Sequence, residues 1–429
     1  MDTSAMKQFN EGKTKIIYEM SPDKVLVRSK DRITAFNAER SHELEGKAKL
    51  SNVTNCRIFQ YLTNVGIPTH FLGQQSDVDF VARKCDMIPL EWIARRVATG
   101  SFLKRHEGVK EGHRFSPPKI EISYKDDALG DPFWTEEMVL ARSMPVGKTG
   151  QTISQRHLSR MEKITRAVFE ILEKAWASLG CSLIDMKVEY GVTTNGEIVL
   201  ADVIDSDSWR LWPAGDRRLQ LDKQFYRDLP EVRPEDLAQL KKNFEKSMEM
   251  LEKFQTPAKG RAVILMGSPS DRDHCEHIRT ACAQLGLPAT MRVSSAHKGT
   301  EETLRIVSQY EGDQIPTVFV CVAGRSNGLG PVVAGNTPYP VINCPPVSAD
   351  WGAQDIWSSM RLPSGLGCST VLGAENAARC AATLIGQSDH VIWAHLRARQ
   401  LRAAIGLLDS DAALESQQEQ KEAAQNGTA

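Results

Sequence analysis

The second half of the chain alternates short apolar strands with helices, and this alternation restricts the possible folds more than any other feature of the sequence. Residues 262–266 form a continuous apolar run that is typical of a buried parallel strand. The further predicted elements are a helix ending at Leu285, strand 289–293, helix 301–310, strand 317–322 and strand 341–344. Alternating strands and helices predict a doubly wound, flavodoxin-like parallel α/β sheet, which binds ligands at the carboxyl ends of its strands.

Three of these strand ends carry small polar and charged residues, at Gly267–Asp271, Ser294–Gly299 and Ala323–Pro331. The first is followed by a helix, whose free N–H groups can hold a phosphate. Taken alone, this turn is more often a helix cap that binds no ligand. Because the three ends meet at one edge of the sheet, their serines and glycines, with His297 and Arg325, predict a site for a phosphorylated small molecule.

Two residues at these strand ends allow a second interpretation. Residues 324–328 match G-x-S-x-G, the motif that presents the nucleophilic serine of many hydrolases. Gly330-Pro331 interrupts the helix that should follow Ser326, so we interpret this match as accidental and keep a serine hydrolase as an alternative. His297, followed by Lys298, is either a structural, hydrogen-bonded histidine or a residue that transfers protons.

The chain opens with a predicted hairpin of strands 11–19 and 25–28, in which Lys13 and Lys15 point to one face. The stretch is not a Walker A loop, because that motif needs a glycine where this chain has Lys7. A glycine-containing hairpin with two lysines can lie over nucleotide phosphates. Two solvated strand lysines are the alternative, and for an isolated hairpin they are the more common case.

Residues 88–105 are apolar enough to be buried, yet they contain several charged residues, including Arg95, and a Thr-Gly-Ser turn at Gly100. Buried charges need partners, so arginines beside a hydroxyl-rich turn indicate an anionic ligand. A salt-bridged surface strand explains the same pattern equally well.

Asn195-Gly196 predicts a tight hairpin between strands 185–194 and 197–204. A two-residue loop without a bulge places Glu189 directly opposite Asp202.

Two carboxylates opposed in this way repel each other at a Cβ separation of about 5 Å. Either Lys187, on the same face as Glu189, compensates them alone, or a divalent cation bridges them to nucleotide phosphates. Because Asp205 and Asp207 follow at once and Arg210 adds a cation, the sequence favours a magnesium site.

Helical patterns and helix-breaking residues divide the chain. A helix over 161–179 ends before Gly180, and a second helix over 237–254 ends before the breaker-rich stretch 255–260. We therefore predict an α+β domain with an antiparallel sheet at 1–254, a linker at 255–260, a parallel α/β domain at 261–408 and a disordered polar tail at 409–429.

Composition excludes several classes of protein. The formal net charge of -1 argues against nucleic-acid binding, which normally requires a basic excess. The nine cysteines contain no C-x-x-C motif, so we interpret them as reduced core thiols without a metal site or disulfides. No apolar run is long enough to span a membrane and the first residues lack a signal-peptide pattern, so we expect a cytoplasmic protein.

Both halves carry motifs of known families. In the first half, Glu11–Lys15, Arg95–Ser101, Asp185–Glu189 and Asp202–Arg210 resemble SAICAR synthetase (phosphoribosylaminoimidazole-succinocarboxamide synthase). In the second half, Met266–Asp271, Ser295–Lys298 and Ala323–Gly328 resemble AIR carboxylase (phosphoribosylaminoimidazole carboxylase). Their fusion in this order resembles the bifunctional animal-type family of purine synthesis, and the resemblance covers nearly the whole chain except the tail.

The resemblance implies two consecutive reactions. The carboxylase joins CO2 to 5-aminoimidazole ribonucleotide (AIR) and gives carboxyaminoimidazole ribonucleotide (CAIR). The synthetase then uses ATP and Mg²⁺ to activate the CAIR carboxylate as an acyl phosphate, which the amine of L-aspartate attacks to give SAICAR. Neither reaction is expected to need biotin, and animal members of the family imply a homo-octamer built around the carboxylase domains.

The resemblance also implies residue roles. ATP would be bound by Gly12, Lys13, Lys15, Lys187 and Glu189, Mg²⁺ by Glu189 and Asp202, and CAIR in the synthetase by Arg95, Ser101 and Arg210. In the carboxylase, the ribonucleotide would be bound by Ser268, Asp271, Arg325, Ser326 and Gly328, with His297 and Lys298 closest to the carboxylation. Bacterial relatives carry His-Arg-Thr-Pro where this chain has His297-Lys298-Gly299-Thr300, the animal-type pattern that uses CO2 directly. A ribonucleotide-binding scaffold without turnover remains an alternative.

Overall fold

The structure is a computed structural model, and it describes residues 6–36, 38–256 and 258–426. The chain folds as two compact units. The first contains residues 1–255 together with 398–429, and the second contains residues 256–397. No helix in the described ranges has both the length and the apolar character needed to cross a membrane.

The first unit is built on antiparallel sheets. Its strands are β1 (Lys7–Glu11), β2 (Lys15–Ser21), β3 (Lys24–Ser29), β4 (Arg32–Ala35), β5 (Arg40–Glu43), β6 (Phe71–Gln74), β7 (Asp79–Arg83), β8 (Cys85–Val97), β9 (Arg114–Tyr124), β10 (Phe133–Trp134), β11 (Cys181–Thr193), β12 (Ile198–Ala201) and β13 (Trp209–Pro213). One sheet has the order β1-β2-β3-β7-β6. A second has the order β10-β9-β8-β11-β12, with β13 also paired to β11, and β4 pairs with β5 alone.

Helices cover these sheets. They are α1 (Lys47–Asn64), α2 (Ser101–Arg105), α3 (Glu136–Ala141), α4 (Gln155–Ser178), α5 (Gln224–Asp228) and α6 (Pro234–Met250). The long helix α4 packs on β8 and β11 through the predicted apolar stripe, in which Val168 and Leu172 are fully buried. Gly180 follows α4 with φ 72, a left-handed conformation that glycine adopts without strain, so this predicted helix end is confirmed.

The second unit contains one parallel sheet. Its strands are β14 (Arg261–Met266), β15 (Ala289–Val293), β16 (Thr317–Val322), β17 (Val341–Asn343) and β18 (Ser369–Thr370), in the order β15-β14-β16-β17-β18. Its helices are α7 (Arg272–Gln284), α8 (Thr300–Ser308), α9 (Leu329–Ala334), α10 (Gly352–Asp355), α11 (Trp357–Met360), α12 (Ala374–Gly386) and the start of α13 (His390–Asn426). Every pairing in this sheet is parallel, which confirms the predicted doubly wound architecture.

Both faces of the parallel sheet are buried, which explains why its strands are continuous apolar runs. Ile264 and Val320 face the core that α7 and α12 complete, and Val263, Leu265 and Phe319 face the core on the side of α8 and α9. Six of the nine cysteines are buried, which agrees with their interpretation as core side chains.

Two expectations differ from the structure. The predicted strand 11–19 is broken after Glu11, because a turn begins at Gly12. The N–H of Gly12 donates to the carbonyl of Lys15 at 2.9 Å. This turn joins β1 to β2, so the hairpin that carries Lys13 starts earlier in the chain than predicted.

The tail is the second difference. Residues 409–426, expected to be disordered, continue helix α13. Alanine, glutamate and glutamine are good helix formers. A polar segment that cannot form a core can therefore still extend a helix whose earlier residues are packed against the protein. Asp409 and Glu415 form ion pairs with Arg160 and Arg156 of α4 at 3.3 and 3.1 Å.

Candidate active sites of the two units

A cavity of about 970 Å³ lies in the first unit. It is lined by the β1–β2 turn, by β8 and β11, by the segment after β12 and by β13. Every residue predicted to act in the first half lines it, namely Gly12, Lys13, Lys15, Arg95, Ser101, Lys187, Glu189, Asp202 and Arg210. Residues from distant parts of the sequence therefore converge on one site, and the size of the cavity is within the range of small-ligand sites.

The hairpin that carries the two carboxylates does not have the predicted register. Glu189 pairs with Ala201, so the expectation that it faces Asp202 directly is wrong by one residue. The loop has three residues instead of two: the N–H of Gly196 donates to Thr193 at 2.9 Å, and Gly196 has φ 85. A type I turn followed by a left-handed glycine is the common three-residue alternative, and it uses the same Asn-Gly pair.

The two carboxylates nevertheless meet, for another reason. Asp202 follows the last residue of β12 with φ 57, which is unusual for a residue other than glycine and costs roughly 1 kcal/mol. This turn of the backbone brings its side chain within hydrogen-bonding reach of Glu189. The predicted proximity of Glu189 and Asp202 is therefore present, although the predicted register is not.

Three lysines surround this carboxylate pair. Lys187 donates to Glu189 at 2.7 Å and Lys125 donates to the other oxygen of Glu189 at 2.8 Å, while Lys15 lies 3.6 Å from Asp202. Burial and the neighbouring Asp202 raise the pKa of Glu189. Burial also acts to raise the pKa of Asp202, but the three lysines hold that pKa below its usual range. The pair is thus a site of concentrated negative charge that cations already neutralise.

The same carboxylates could hold a metal ion together with a ligand. The described residues contain no group of three or more histidine, cysteine, aspartate or glutamate side chains arranged for a metal. Two carboxylates suit Mg²⁺, which typically takes one or two carboxylates and completes its shell with substrate phosphates and water.

One end of the cavity is suited to a nucleotide. Apolar side chains line it beside the β1–β2 turn, among them Val25, Val27 and Phe80. At the rim, Lys13 forms an ion pair with Asp127 at 3.0 Å, and both side chains are exposed. An apolar wall next to flexible lysines can take a base and its phosphates, as the sequence predicts.

Another end of the cavity is cationic. Arg95 and Arg210 both donate to the same oxygen of Asp185, and the Arg95 side chain is only 3% exposed. Arg95 also pairs with Glu121 at 3.1 Å, so the alternative of a salt-bridged surface strand is right that this arginine is salt-bridged and wrong that it lies at the surface. Gly100, with φ 60, lies so close to Arg210 that a Cβ there would be 2.6 Å from the guanidinium, which explains the glycine before Ser101.

Sequence reasoning missed several lining residues. Lys125 lines the cavity and follows β9 without a recognisable motif. Lys47 is not itself a lining residue, but it is a fully buried lysine whose Nζ lies 3.3 Å from Asp207, which lines the cavity. Lys223 contacts the same carboxylate at 3.3 Å. No local pattern distinguishes these lysines from solvated ones, because their burial depends on strands far away in the sequence.

In the second unit, the predicted residues follow the carboxyl ends of β14, β15 and β16. Ser268 caps a short turn by accepting from the N–H of Ser270 at 3.3 Å, and burial raises the pKa of Asp271. Lys298 is exposed beside His297, and Arg325 and Ser326 are exposed on the turn after β16.

His297 lies directly against Gly328. A Cβ added to Gly328 would be 2.6 Å from Nε2 of His297, so the structure brings the second and third strand ends together at these two residues. Gly328 has an ordinary φ of −76, so its backbone conformation does not require glycine. The lack of a side chain instead allows the imidazole to approach closely.

A residue that sequence reasoning missed holds this turn in place. The Asn327 side chain donates to Ser359 at 3.0 Å and accepts from the N–H of Gly330 at 3.0 Å, and it is buried. It therefore fixes the glycine-rich turn at the start of α9. Asn327 lies inside the G-x-S-x-G match, which could have drawn attention to it. That motif, however, assigns no role to the residue between the serine and the last glycine.

Comparisons with known proteins agree with this geometry. Residues 8–249 match the family described as SAICAR synthetase, and residues 261–404 match the family described as AIR carboxylase. A "Bifunctional phosphoribosylaminoimidazole carboxylase/phosphoribosylaminoimidazole succinocarboxamide synthetase" of Homo sapiens is 57% identical over 410 residues, covering 94% of this chain and 96% of that protein. "Multifunctional protein ADE2" of Gallus gallus is also 57% identical, over 409 residues with the same coverage.

A solved structure matches the first part of the chain. "SAICAR synthetase (Type-2) in complex with ADP" is 32% identical, with a TM-score of 0.51, and the match covers 57% of this chain and 97% of that one. That related synthetase therefore holds a nucleotide, ADP, in its solved structure.

Proposed function

The chain belongs to the family of bifunctional AIR carboxylases and SAICAR synthetases of purine biosynthesis, and from this premise we propose how its residues divide the two reactions. The observation that carries the proposal is the convergence of all the predicted residues of the first half on one cavity. The lining combines an apolar wall, a pair of carboxylates and a cationic end. A cavity that forms only by chance between packed elements would not be expected to combine these three features.

The nucleotide occupies the end of the cavity beside the β1–β2 turn. Gly12, Lys13 and Lys15 bind the phosphates of ATP, and Lys13 exchanges its ion pair with Asp127 for a phosphate oxygen. Glu189 and Asp202 are the residues that would hold Mg²⁺, and a bound Mg²⁺ would neutralise charge on the transferred phosphoryl group. Lys187, hydrogen-bonded to Glu189, lies on the side of the nucleotide.

CAIR occupies the cationic end, held by Arg95, Ser101 and Arg210. Its carboxylate attacks the γ-phosphorus of ATP, so that ADP leaves and an acyl phosphate forms. The amine of L-aspartate then attacks the acyl carbon, phosphate leaves with the electron pair of the broken C–O bond, and the amine loses a proton. The residues of this chain contribute mainly orientation and charge complementarity, as is usual for phosphoryl transfer.

The second unit carries out the carboxylation. Ser268, Asp271, Arg325, Ser326 and Gly328 bind the ribonucleotide at the strand ends. The imidazole carbon of AIR, which is enamine-like, attacks CO2 and forms the new C–C bond. His297 then accepts the proton from that carbon, and Lys298 holds the new carboxylate.

A serine hydrolase is not favoured by the structure. The Ser326 hydroxyl makes no hydrogen bond to any residue in the described part of the chain, so it has no activating base there. A turnover-free scaffold is also disfavoured, because the chain matches both enzyme families and lies close in sequence to bifunctional relatives.

The proposed function is tested by omission. The protein is incubated with AIR, bicarbonate, ATP, Mg²⁺ and L-aspartate, and each component is left out in turn. CAIR should form whenever AIR and bicarbonate are present, and SAICAR should form only when all five are present. SAICAR formation without Mg²⁺ or without ATP would contradict the assignment of the first unit.

We expect the protein to be a cytoplasmic homo-octamer that assembles through its carboxylase units. Trp351, Trp357 and Met360 on the segment between β17 and β18 are 63%, 57% and 54% exposed, which is unusual for such side chains in a single chain. Sedimentation velocity should give a mass of about eight chains. Trp357→Glu should shift the protein to smaller species, whereas a wild-type protein that sediments as a monomer would contradict the octamer.

Gly328→Ala tests whether the histidine position matters for carboxylation. The added Cβ would approach Nε2 of His297 to 2.6 Å, so the imidazole must move away from its place. We expect carboxylation to fall at least tenfold, because small displacements of a reacting group have large effects on rate. Gly312→Ala is the matched control, since a Cβ there meets nothing within 4 Å. Normal carboxylation by Gly328→Ala would separate His297 from the reaction.

A further inference from the structure

One buried side chain lies between two residues that we assign to the carboxylase site. Asn327 separates Ser326, assigned to the ribonucleotide, from Gly328, against which His297 lies. These residues belong to 323–328, an irregular connection between β16 and α9. Arg325 and Ser326 are exposed on this connection, whereas Asn327 is buried. The connection therefore presents its ligand-binding side chains outward and is anchored to the protein through Asn327.

Three hydrogen bonds hold Asn327. Its Oδ1 accepts from the N–H of Gly330 at 3.0 Å, and because a backbone N–H can only donate, this end of the amide must be the oxygen. The Nδ2 atom therefore faces Ser359 and donates to its Oγ at 3.0 Å. The backbone N–H of Asn327 donates to Oγ of Ser358 at 2.9 Å. Two of the three bonds thus end on adjacent residues of α11.

Helix α11 gives this residue a fixed support. The carbonyl of Ser359 accepts from Nδ2 of Asn343 at 3.1 Å and from the hydroxyl of Thr370 at 2.7 Å. Asn343 and Thr370 are the last residues of β17 and β18, and Ser359 is fully enclosed. The ends of these two strands therefore hold the backbone of Ser359, and the hydroxyl of Ser359 holds the connection after β16.

The position of the His297 imidazole depends on this anchor. A Cβ at Gly328 would be 2.6 Å from Nε2 and 2.9 Å from Cε1 of His297, so the ring lies directly against the α-carbon of Gly328. A displacement of Asn327 would move Gly328, its neighbour in the chain, and with it the surface that the ring contacts. A fully satisfied buried polar network has few alternative arrangements, so it keeps this surface in one place.

We propose that Ser359, acting through Asn327, is a positioning residue for carboxylation: it sets the place of Gly328 and thereby that of the His297 imidazole. The inference rests on the proposed role of His297 as the proton acceptor. Ser359 is enclosed beneath the connection that it holds, so it affects the reaction through the residues of that connection. Ser358 acts in the same way on the backbone of Asn327.

The test is a double-mutant cycle of Ser359→Ala and His297→Asn, measured as the rate of carboxylation at saturating AIR and bicarbonate. Ser359→Ala removes only the hydroxyl that accepts from Asn327. In the wild-type background we expect the rate to fall about tenfold or more, because small misplacements of a reacting group have large effects. In the His297→Asn background the same substitution should change the remaining rate by less than about twofold, because the residue that it positions is already absent.

A merely structural role gives a different pattern. If Ser359 only stabilised the second unit, Ser359→Ala would lower the rate by the same factor in both backgrounds. If Ser359 only assisted binding of the ribonucleotide, the substitution would raise the KM for AIR and leave the rate at saturation unchanged. Either result would overturn the proposal. SAICAR formation from added CAIR measures the amount of intact protein in each preparation.

Thr317→Val is the matched control. Thr317 is buried at the start of β16, the end of the strand opposite to the anchored connection, and its hydroxyl donates to the carbonyl of Ile315 at 2.8 Å. The variant loses a buried hydroxyl from the same unit and should carboxylate at the wild-type rate. An equal loss in Thr317→Val and Ser359→Ala would show that the effect is not specific to the anchor.

Ser358→Ala covers the case in which Ser359→Ala does not fold. Ser358 is half-buried, and its loss should show the same dependence on His297, so equal factors in the two backgrounds would contradict the proposal. A failure of the proposed function is recognised separately. Wild-type carboxylation by His297→Asn would remove the histidine from the reaction, whereas a slow His297→Asn beside a normal Ser359→Ala would refute only the role of Ser359.

Discussion

Replacing His297 by asparagine should lower the rate of carboxylation by about two to four orders of magnitude, the range expected when a general base is removed. Once AIR has attacked CO2, the proton on the attacked carbon must leave before the imidazole regains its aromaticity. Histidine is the side chain that most often acts as the proton acceptor in steps of this kind. Asparagine is similar in size and can form hydrogen bonds, but it cannot take the proton.

The same variant should still bind the ribonucleotide and make SAICAR from added CAIR at the wild-type rate. The residues that we assign to the second reaction line a cavity of the first unit, whereas His297 belongs to the second unit. Both half-reactions must be measured on one preparation. Wild-type carboxylation would remove His297 from the mechanism, and loss of both activities in a folded protein would refute the assignment of two independent sites.

Replacing Asp202 by asparagine should abolish ADP formation and leave carboxylation intact. The substitution removes one of two carboxylates that we assign to Mg²⁺, and it also leaves Lys15 without its partner at 3.6 Å. Three lysines already face these two carboxylates, so the lost negative charge increases the excess of positive charge in this part of the cavity. A weaker site for a dication follows from both effects.

A control tests whether the loss of another lysine–carboxylate ion pair at the same cavity changes the magnesium requirement. Asp127→Asn removes the exposed partner of Lys13, outside the carboxylate pair, and should change the magnesium requirement little. ADP formation is measured over a wide range of Mg²⁺ at saturating ATP. Near-normal activity of Asp202→Asn at limiting Mg²⁺ would show that this carboxylate is not a metal ligand.

The parallel sheet could be predicted because its signal is local. Ala262–Met266 and Thr317–Val322 are apolar on both faces, and only a sheet covered by helices on both sides needs such strands. The turns after them carry the residues that the family motifs share. In this half, composition and periodicity were enough to predict which residues gather at one edge.

The geometry of the carboxylate pair could not be predicted from local sequence patterns. Asn195-Gly196 predicts a hairpin, but both a two-residue and a three-residue loop can use this pair, so the sequence alone does not determine the register. Glu189 meets Asp202 only because the chain leaves β12 in a left-handed turn. That conformation depends on contacts with residues far away in the sequence, and no pattern around Asp202 indicates it.

Helix α13 makes the second unit an insertion within the first. The chain leaves the first unit after Gln255 and returns to it at Ala398, where Leu401 and Ile405 are again buried and Arg402 lies close to Gly66. The first unit is therefore built from two separate stretches of the sequence, one before and one after the second unit. A truncation near position 398 would spare every residue assigned to catalysis and yet remove part of the first unit, so the loss of residues that follow the second unit should impair the reaction assigned to the first.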